Sequence, residues 1–308
     1  MADAVPPGIP TWLMVPGFRR LRDRFDAILI DLDGTLLDAA SEVTPRTRAA
    51  VQHLRDSGLF VVLCTGRSVA GSQKIYDTLG MDTPLAAYNG SWIGYPDGDP
   101  SHYIPIPDAH LDALFDAERE AHFSFRHRAE EKFTIMTDHP EHHQIAAWFE
   151  NVIRADDHGA LPDSDILRVS MFFDESQIPP EEMRETLWQR LPPAAREGLR
   201  HEVFPLSLFP AYENSTLHLF EVQGWSRGKA EALDWLEREH DIPHARTIAV
   251  GDHMNDLSML QDAGLSVTPE NAVPEAKALA DLVIGHHADE GLAAWIEDGM
   301  PFPTGEQG

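Results

Sequence analysis

Cysteine is nearly absent from this chain, lysine is scarce, and no long apolar run occurs. A single cysteine, Cys64, in 308 residues excludes an internal disulfide framework. No stretch reaches the roughly 18 apolar residues that a membrane-crossing helix needs. The start, Met1 to Pro16, carries Asp3 and several prolines and lacks a basic start followed by an apolar core. It does not read as a secretion signal, and a cytoplasmic setting is expected. Lysine occurs only at Lys74, Lys132, Lys229 and Lys277. Acidic residues outnumber basic ones by 51 to 24, for a net charge of -27. Such a surface repels nucleic acid and anionic membranes, so neither is an expected partner. It fits a high-salt organism, in which salt screens the self-repulsion. A GC-rich genome that favours arginine accounts for it equally well.

What is present is an alternation of short apolar runs and helical segments. The length, with 43% hydrophobic residues, suits two domains of ordinary size. Phe25 to Ile30, Leu59 to Cys64 and Pro84 to Tyr88 read as strands, with helices over Thr44–Leu54 and Ser68–Leu79 between them. Thr44 followed by Pro45 is a helix-start signal. The alternation resumes at Gly228, with strands at 247–250, 265–267 and 282–284. This pattern predicts an α/β fold with a Rossmann-like parallel sheet. Between the two halves, after the turn signal Asn89-Gly90, the rhythm changes and His and Pro become more frequent. The expected organisation is an N-terminal extension over 1–24, a core over 25–90 and 216–308, and an inserted α+β cap over 91–215.

Four sets of residues fall at strand ends or helix starts of the core, where sites in such sheets gather. Asp31 and Asp33 follow the first strand. Along an extended chain, residues i and i+2 face the same way, so the two carboxylates are expected to converge. Gly34 lets the chain turn away at once. Thr65-Gly66-Arg67 follows the second strand, with a hydroxyl and backbone N–H groups suited to a phosphate oxygen. Lys229 opens a helix whose dipole opposes it, a placement that suits an anion-binding point charge. Gly251-Asp252-His253-Met254-Asn255-Asp256 follows another strand, with Asp252 at the strand end and Asn255 or Asp256 able to cap the helix. Two bare carboxylates about 4 Å apart repel by roughly 4 kcal/mol at an effective dielectric of 20. A cluster of Asp31, Asp33, Asp252 and Asp256 therefore calls for a divalent cation, and an all-oxygen set favours Mg²⁺ over Zn²⁺. Cys64 ends an apolar strand with no activating base and reads as core. His139, His142 and His143 form no recognisable zinc pattern.

These four sets, in this order, resemble the motifs of the haloacid dehalogenase superfamily of phosphohydrolases. The segment Asn271-Ala272-Val273-Pro274-Glu275-Ala276-Lys277 is similar to the C-terminal signature of its Cof-type subfamily, with Pro269-Glu270 where Met-Gly is usual. The insertion resembles that subfamily's large α/β cap. The resemblance implies a Mg²⁺-dependent phosphatase acting on a small phosphorylated metabolite, with sugar phosphates foremost. By the same resemblance Asp31 is the nucleophile, forming an aspartyl-phosphate, and Asp33 is the acid and base. Asp31, the main-chain carbonyl of Asp33, and Asp252 hold Mg²⁺. Thr65, Gly66, Lys229 and Asn255 bind phosphate oxygens, and Asp256 orients Lys229 or a metal-bound water. The cap is expected to act as a lid, with Arg126, His127, Arg128 and Lys132 as candidates for leaving-group recognition. A phosphomutase or phosphotransferase using the same aspartyl-phosphate, and a non-catalytic metabolite-binding regulator, are the alternatives. Homo-oligomerisation stays open.

Overall fold

A computed structural model describes residues 23–129, 131–135, 137–149, 151–175, 179–208 and 212–301. Residues 1–22 of the expected N-terminal extension lie outside the described residues. The chain begins with β1 (Ala27–Ile30), α1 (Pro45–Asp56), β2 (Phe60–Cys64), α2 (Val69–Leu79) and β3 (Leu85–Ala87). Two short strands follow, β4 (Trp92–Gly94) and β5 (Pro100–Tyr103). The middle of the chain forms α3 (Asp108–Glu118), β6 (Phe123–His127), β7 (Lys132–Ile135), α4 (Pro140–Trp148) and β8 (Val152–Ala155). It continues with β9 (Arg168–Asp174), α5 (Pro180–Arg190), α6 (Pro193–Gly198), β10 (Leu199–Pro205) and β11 (Leu217–Gly224). The last third is α7 (Glu231–His240), β12 (Thr247–Val250), α8 (Leu257–Asp262), β13 (Leu265–Pro269), α9 (Pro274–Leu279), β14 (Leu282–Ile284) and α10 (Gly291–Glu297). No helix among the described residues is long and apolar enough to cross a membrane.

The chain divides into two compact units. The first comprises Met1–Arg67, Ser72–Pro100 and Arg227–Gly308, and the second Ser68–Gly71 and Ser101–Ser226. The larger sheet has the order β14-β13-β12-β1-β2-β3-β4-β5. Its neighbours from β14 to β3 run parallel. β1 is fully buried along its length, which is why Ala27–Ile30 carries no polar alternation. One face packs Leu29, Val62 and Ala249 against Leu233, Trp235 and Leu236 of α7 and Leu260 of α8. The helix start read at Thr44 is present: its side chain accepts from Thr47 N at 3.0 Å, and Pro45 opens α1. β1 lies between β12 and β2, so the strand order reverses at its carboxyl end, the place where such sheets put their sites.

The units part at other positions than 90/91 and 215/216. β4 pairs antiparallel with β3, Ile93 opposite Ala86, so Asn89-Gly90 turns the chain back into the same sheet rather than out of it. β11 pairs along its length with β9 and β10 in the second sheet, which carries that boundary to 226/227.

The second unit has a six-stranded sheet of order β10-β11-β9-β6-β7-β8, antiparallel except between β7 and β8. One face packs Val169, Met171, Phe173 and Val222 against Leu111 and Leu114 of α3 and Leu187 of α5. The other packs Phe123, Phe125, Phe172 and Leu219 against Ile145 and Ala146 of α4. His142 of α4 is sealed into this second layer. Its Nε2 lies 3.0 Å from Thr134 Oγ1, and its ring stacks on Phe125 at 5.6 Å. Burial foremost, then the charges of His143 and Arg154, lower its pKa to about 4. His127, 2.9 Å from Ser170 Oγ, is likewise pushed well below its ordinary range by burial and by Arg168. A histidine that resists protonation only when folded lets the unfolded chain bind more protons. Its contribution is complete above the unfolded pKa of about 6.5 and declines as pH falls towards the folded value. Stability is therefore expected to drop between pH 6.5 and 4, and His142→Gln to flatten that drop. Calorimetric melts of both proteins across this window check it, and equal slopes would remove His142 as a contributor.

Candidate active site

The sequence predicts that Asp31 emerges at the carboxyl end of β1, and the structure places it there. Its N–H donates to Val250 O at 2.9 Å, extending the pairing of β1 with β12 by one residue. The extended run ends at that point. Residues Leu32–Leu36 coil into one wide turn, closed by Leu37 N donating to Leu32 O at 2.9 Å. Gly34 has a φ of +78°, and a Cβ there would lie 2.4 Å from Asp252 Oδ2. Both the backbone conformation and the close approach require glycine.

Three carboxylates meet below this turn: Asp31, Asp252 and Asp256 each offer an oxygen within 4.8 Å of the others. Lys229 is fully buried and lies between two of them, its Nζ 2.5 Å from Asp31 Oδ1 and 2.5 Å from Asp256 Oδ1. Asp256 also caps its own helix start, Oδ2 accepting from the N–H groups of Asp252 and His253 at 2.9 Å each. Asp252 accepts from Thr35 Oγ1 at 3.1 Å. Asn271 Nδ2 donates to Gly34 O at 2.7 Å and reaches Asp252 Oδ2 at 3.4 Å.

The electrostatics of the cluster are unbalanced. Burial foremost, then Asp256, pushes the Asp31 carboxyl well above the usual range, against the pull of Lys229. Burial and Asp256 likewise raise Asp252 to about 6. Burial alone would depress the Lys229 ammonium, but Asp256 and Asp31 outweigh it and hold it above the ordinary lysine range. Ionised together, the three carboxylates would exceed the one ammonium by two negative charges, and their raised pKa values express that excess. A divalent cation supplies that difference, and an all-carboxylate donor set suits a hard ion such as Mg²⁺. The residues present therefore fit a metal. Cys64 lies beside them, and burial raises its thiol to about 12, so it stays protonated as a core residue.

Asp33 departs from the strand-alternation expectation. Asp33 is not among the three carboxylates that meet, although its charge still helps to raise Asp31. It is half exposed and gripped by Arg67, with Nε 2.7 Å from Oδ2 and Nη2 2.5 Å from Oδ1. Asp256, read from sequence as a supporting residue, takes the third place in the carboxylate cluster instead. Three of the residues expected on the phosphate side, Thr65, Gly66 and Asn255, form a second group. Thr65 is buried, and its Oγ1 accepts from Arg67 N at 3.1 Å. Gly66 abuts the Asn89 and Asn255 side chains, and Asn255 Nδ2 donates to Asn89 Oδ1 at 3.0 Å. The adjacent positions of Asn255 and Asp256 link this group to the carboxylates.

The basic residues proposed for leaving-group recognition are largely committed within the second unit. Arg126 is buried, paired with Glu118 at 2.6 Å and stacked over Phe115. Arg128 donates to Ser164 O at 3.0 Å, and Lys132 is buried. The sequence motifs assign no role to Arg67, Asn89 or Asn271. Asn271 sits in the quoted C-terminal signature and Arg67 in the second motif, so both carried a signal. Asn89 carried only a turn signal.

A family model described as haloacid dehalogenase-like hydrolase matches residues 28–296. A 5-amino-6-(5-phospho-D-ribitylamino)uracil phosphatase of Bacillus subtilis is 24% identical over 275 residues, covering 88% of this chain and 96% of the relative. A pyridoxal phosphate phosphatase of Escherichia coli is 26% identical over 290 residues, covering 87% and 96%. Among solved structures, a subclass IIB sugar phosphatase superposes with a TM-score of 0.71 at 18% identity, covering 90% of this chain and all of the other. That last likeness bears on the fold alone.

Proposed function

Since the chain belongs to the haloacid dehalogenase-like hydrolases and is a phosphoric monoester hydrolase, we propose that it hydrolyses small phosphorylated metabolites, sugar phosphates foremost, through an aspartyl-phosphate on Asp31. The observation that carries this reading is Asp31 at the end of β1, bonded to a buried Lys229 inside a carboxylate cluster short of positive charge. The substrate class draws support from the relative named for a phosphoribityl compound.

In this reading Asp31, the main-chain carbonyl of Asp33, and Asp252 hold Mg²⁺, with Asp256 close by. The ion supplies the positive charge that lets a carboxylate approach a phosphate dianion. A carboxylate oxygen of Asp31 attacks phosphorus as the ester P–O bond breaks. Asp33 gives the leaving oxygen its proton, then takes one from the water that attacks the acyl phosphate. Inorganic phosphate leaves and Asp31 is regenerated. Lys229, Thr65, Gly66 and Asn255 hold the phosphate oxygens, and Asp256 fixes Lys229. Asp33 must let go of Arg67 to do this, and its exposed position leaves it free to swing.

The test is a panel of phosphate esters assayed for inorganic phosphate release. Turnover is expected with Mg²⁺, to disappear after EDTA treatment, and to return when Mg²⁺ is restored. Release at full rate in EDTA would reject the metal assignment. Transfer of phosphate to a second sugar without release would reject hydrolysis as the main reaction.

A further inference from the structure

Three consecutive residues after β3 have positive φ: Tyr88 at 51°, Asn89 at 54° and Gly90 at 86°. Glycine adopts this region freely, but a bulky side chain such as tyrosine is sterically disfavoured there. The segment is buried and tied down, Tyr88 N donating to Arg67 O and Asn89 N to Thr65 O, both at 2.9 Å. The kink therefore fastens this segment to the Thr65–Arg67 loop. Its consequence is the placement of one side chain. The Asn89 carboxamide oxygen accepts from Asn255 Nδ2 at 3.0 Å, and a Cβ on Gly66 would come within 3.1 Å of that oxygen.

A carboxamide has one acceptor oxygen and two N–H donors. The Asn89 oxygen is used by Asn255. Its nitrogen has no hydrogen-bond partner among the described residues. Asn89 itself is only 3% exposed, and its side chain lies against Gly66 and the Asn255 amide. The two unmatched N–H groups of Asn89, beside residues read as the phosphate side, suit the oxygens of a phosphate ester or of inorganic phosphate.

We propose that Asn89 is a further phosphate-binding residue of this site, donating through its side-chain nitrogen while its oxygen fixes the Asn255 amide. The proposal rests on the reading of Thr65, Gly66 and Asn255 as the phosphate side of a phosphatase. Asparagine suits both tasks, because it tolerates the left-handed backbone and carries an acceptor and donors on one short side chain.

Two variants separate binding from folding. Asn89→Asp keeps the left-handed backbone and the acceptor for Asn255 but replaces the donors with an anionic oxygen. Asn89→Gly accepts the backbone conformation without strain and removes the side chain. The full chain with Mg²⁺ is assayed for hydrolysis of an aryl phosphate, for competitive inhibition by inorganic phosphate, and for thermal melting. Losing a charge-assisted hydrogen bond is expected to raise both KM and the phosphate inhibition constant by about tenfold or more in Asn89→Asp. Asn89→Gly is expected to raise both in the same direction, and both variants to melt close to wild type. Wild-type values of KM and phosphate inhibition in the two variants would overturn the role of Asn89 while leaving the phosphatase reading in place. A wild-type chain that neither hydrolyses the ester nor binds phosphate would reject that reading, and this proposal with it.

Discussion

Asp31→Asn is expected to lower phosphate release by at least about a thousandfold, as removal of a covalent nucleophile does, while the fold stays intact. The amide keeps the shape of the carboxylate and cannot displace an alkoxide from phosphorus. Folding survives for a local reason. Burial foremost, then Asp256, already pushes the Asp31 carboxyl well above the usual range. A neutral group there relieves repulsion from Asp256 and Asp252, and Lys229 keeps Asp256 as its partner at 2.5 Å. Melting at or slightly above the wild-type temperature, with kcat collapsed, is the expected pair of results. A rate within tenfold of wild type would reject Asp31 as the nucleophile.

Lys229→Met is expected to remove turnover and, in contrast, to destabilise the chain. Lys229 is fully buried and supplies the cation facing both Asp31 and Asp256. Breaking a buried ion pair by deleting one partner typically costs about 3–5 kcal/mol, because the charge left behind has no compensation. Here two carboxylates are left behind. Asp256 also serves the main chain of Asp252 and His253, so its reorientation would disturb the segment that carries Asp252. A chemical-denaturation midpoint well below wild type is the expected result, partly recovered when Asp256→Asn is added to Lys229→Met. A single variant as stable as wild type would show that the buried lysine does not hold the cluster together.

Much of the core was legible because local chemistry and global fold agree there. The apolar runs at 27–30, 60–64 and 247–250 are buried strands, and the Thr44-Pro45 pair starts a helix as its chemistry requires. The meeting of Asp31, Lys229, Asp252 and Asp256 followed from their places at strand ends and helix starts. The pairing of Asp33 with Arg67 outside that group did not, because strand alternation stops at a turn whose i to i+5 closure no short pattern announces. Asn89 was hidden for a related reason. Asn-Gly reads as a hairpin turn, and only the tertiary approach of Asn255 and Gly66 gives the side chain a second meaning. The two unit boundaries were displaced because β4 and β11 are short or mixed runs whose sheet is chosen by pairing partners far away in sequence.

An Asp33→Ala chain mixed with an aryl phosphate isolates the phosphoryl-transfer step. An aryl leaving group needs little protonation, so Asp31 can still be phosphorylated, whereas the base for the hydrolytic water is gone. Acid quenching followed by peptide mapping should find one phosphoryl group per chain, on the peptide that contains Asp31 and labile to hydroxylamine. Release of the aryl alcohol with no phosphoryl group on the protein, or with the group on another residue, would contradict transfer through Asp31.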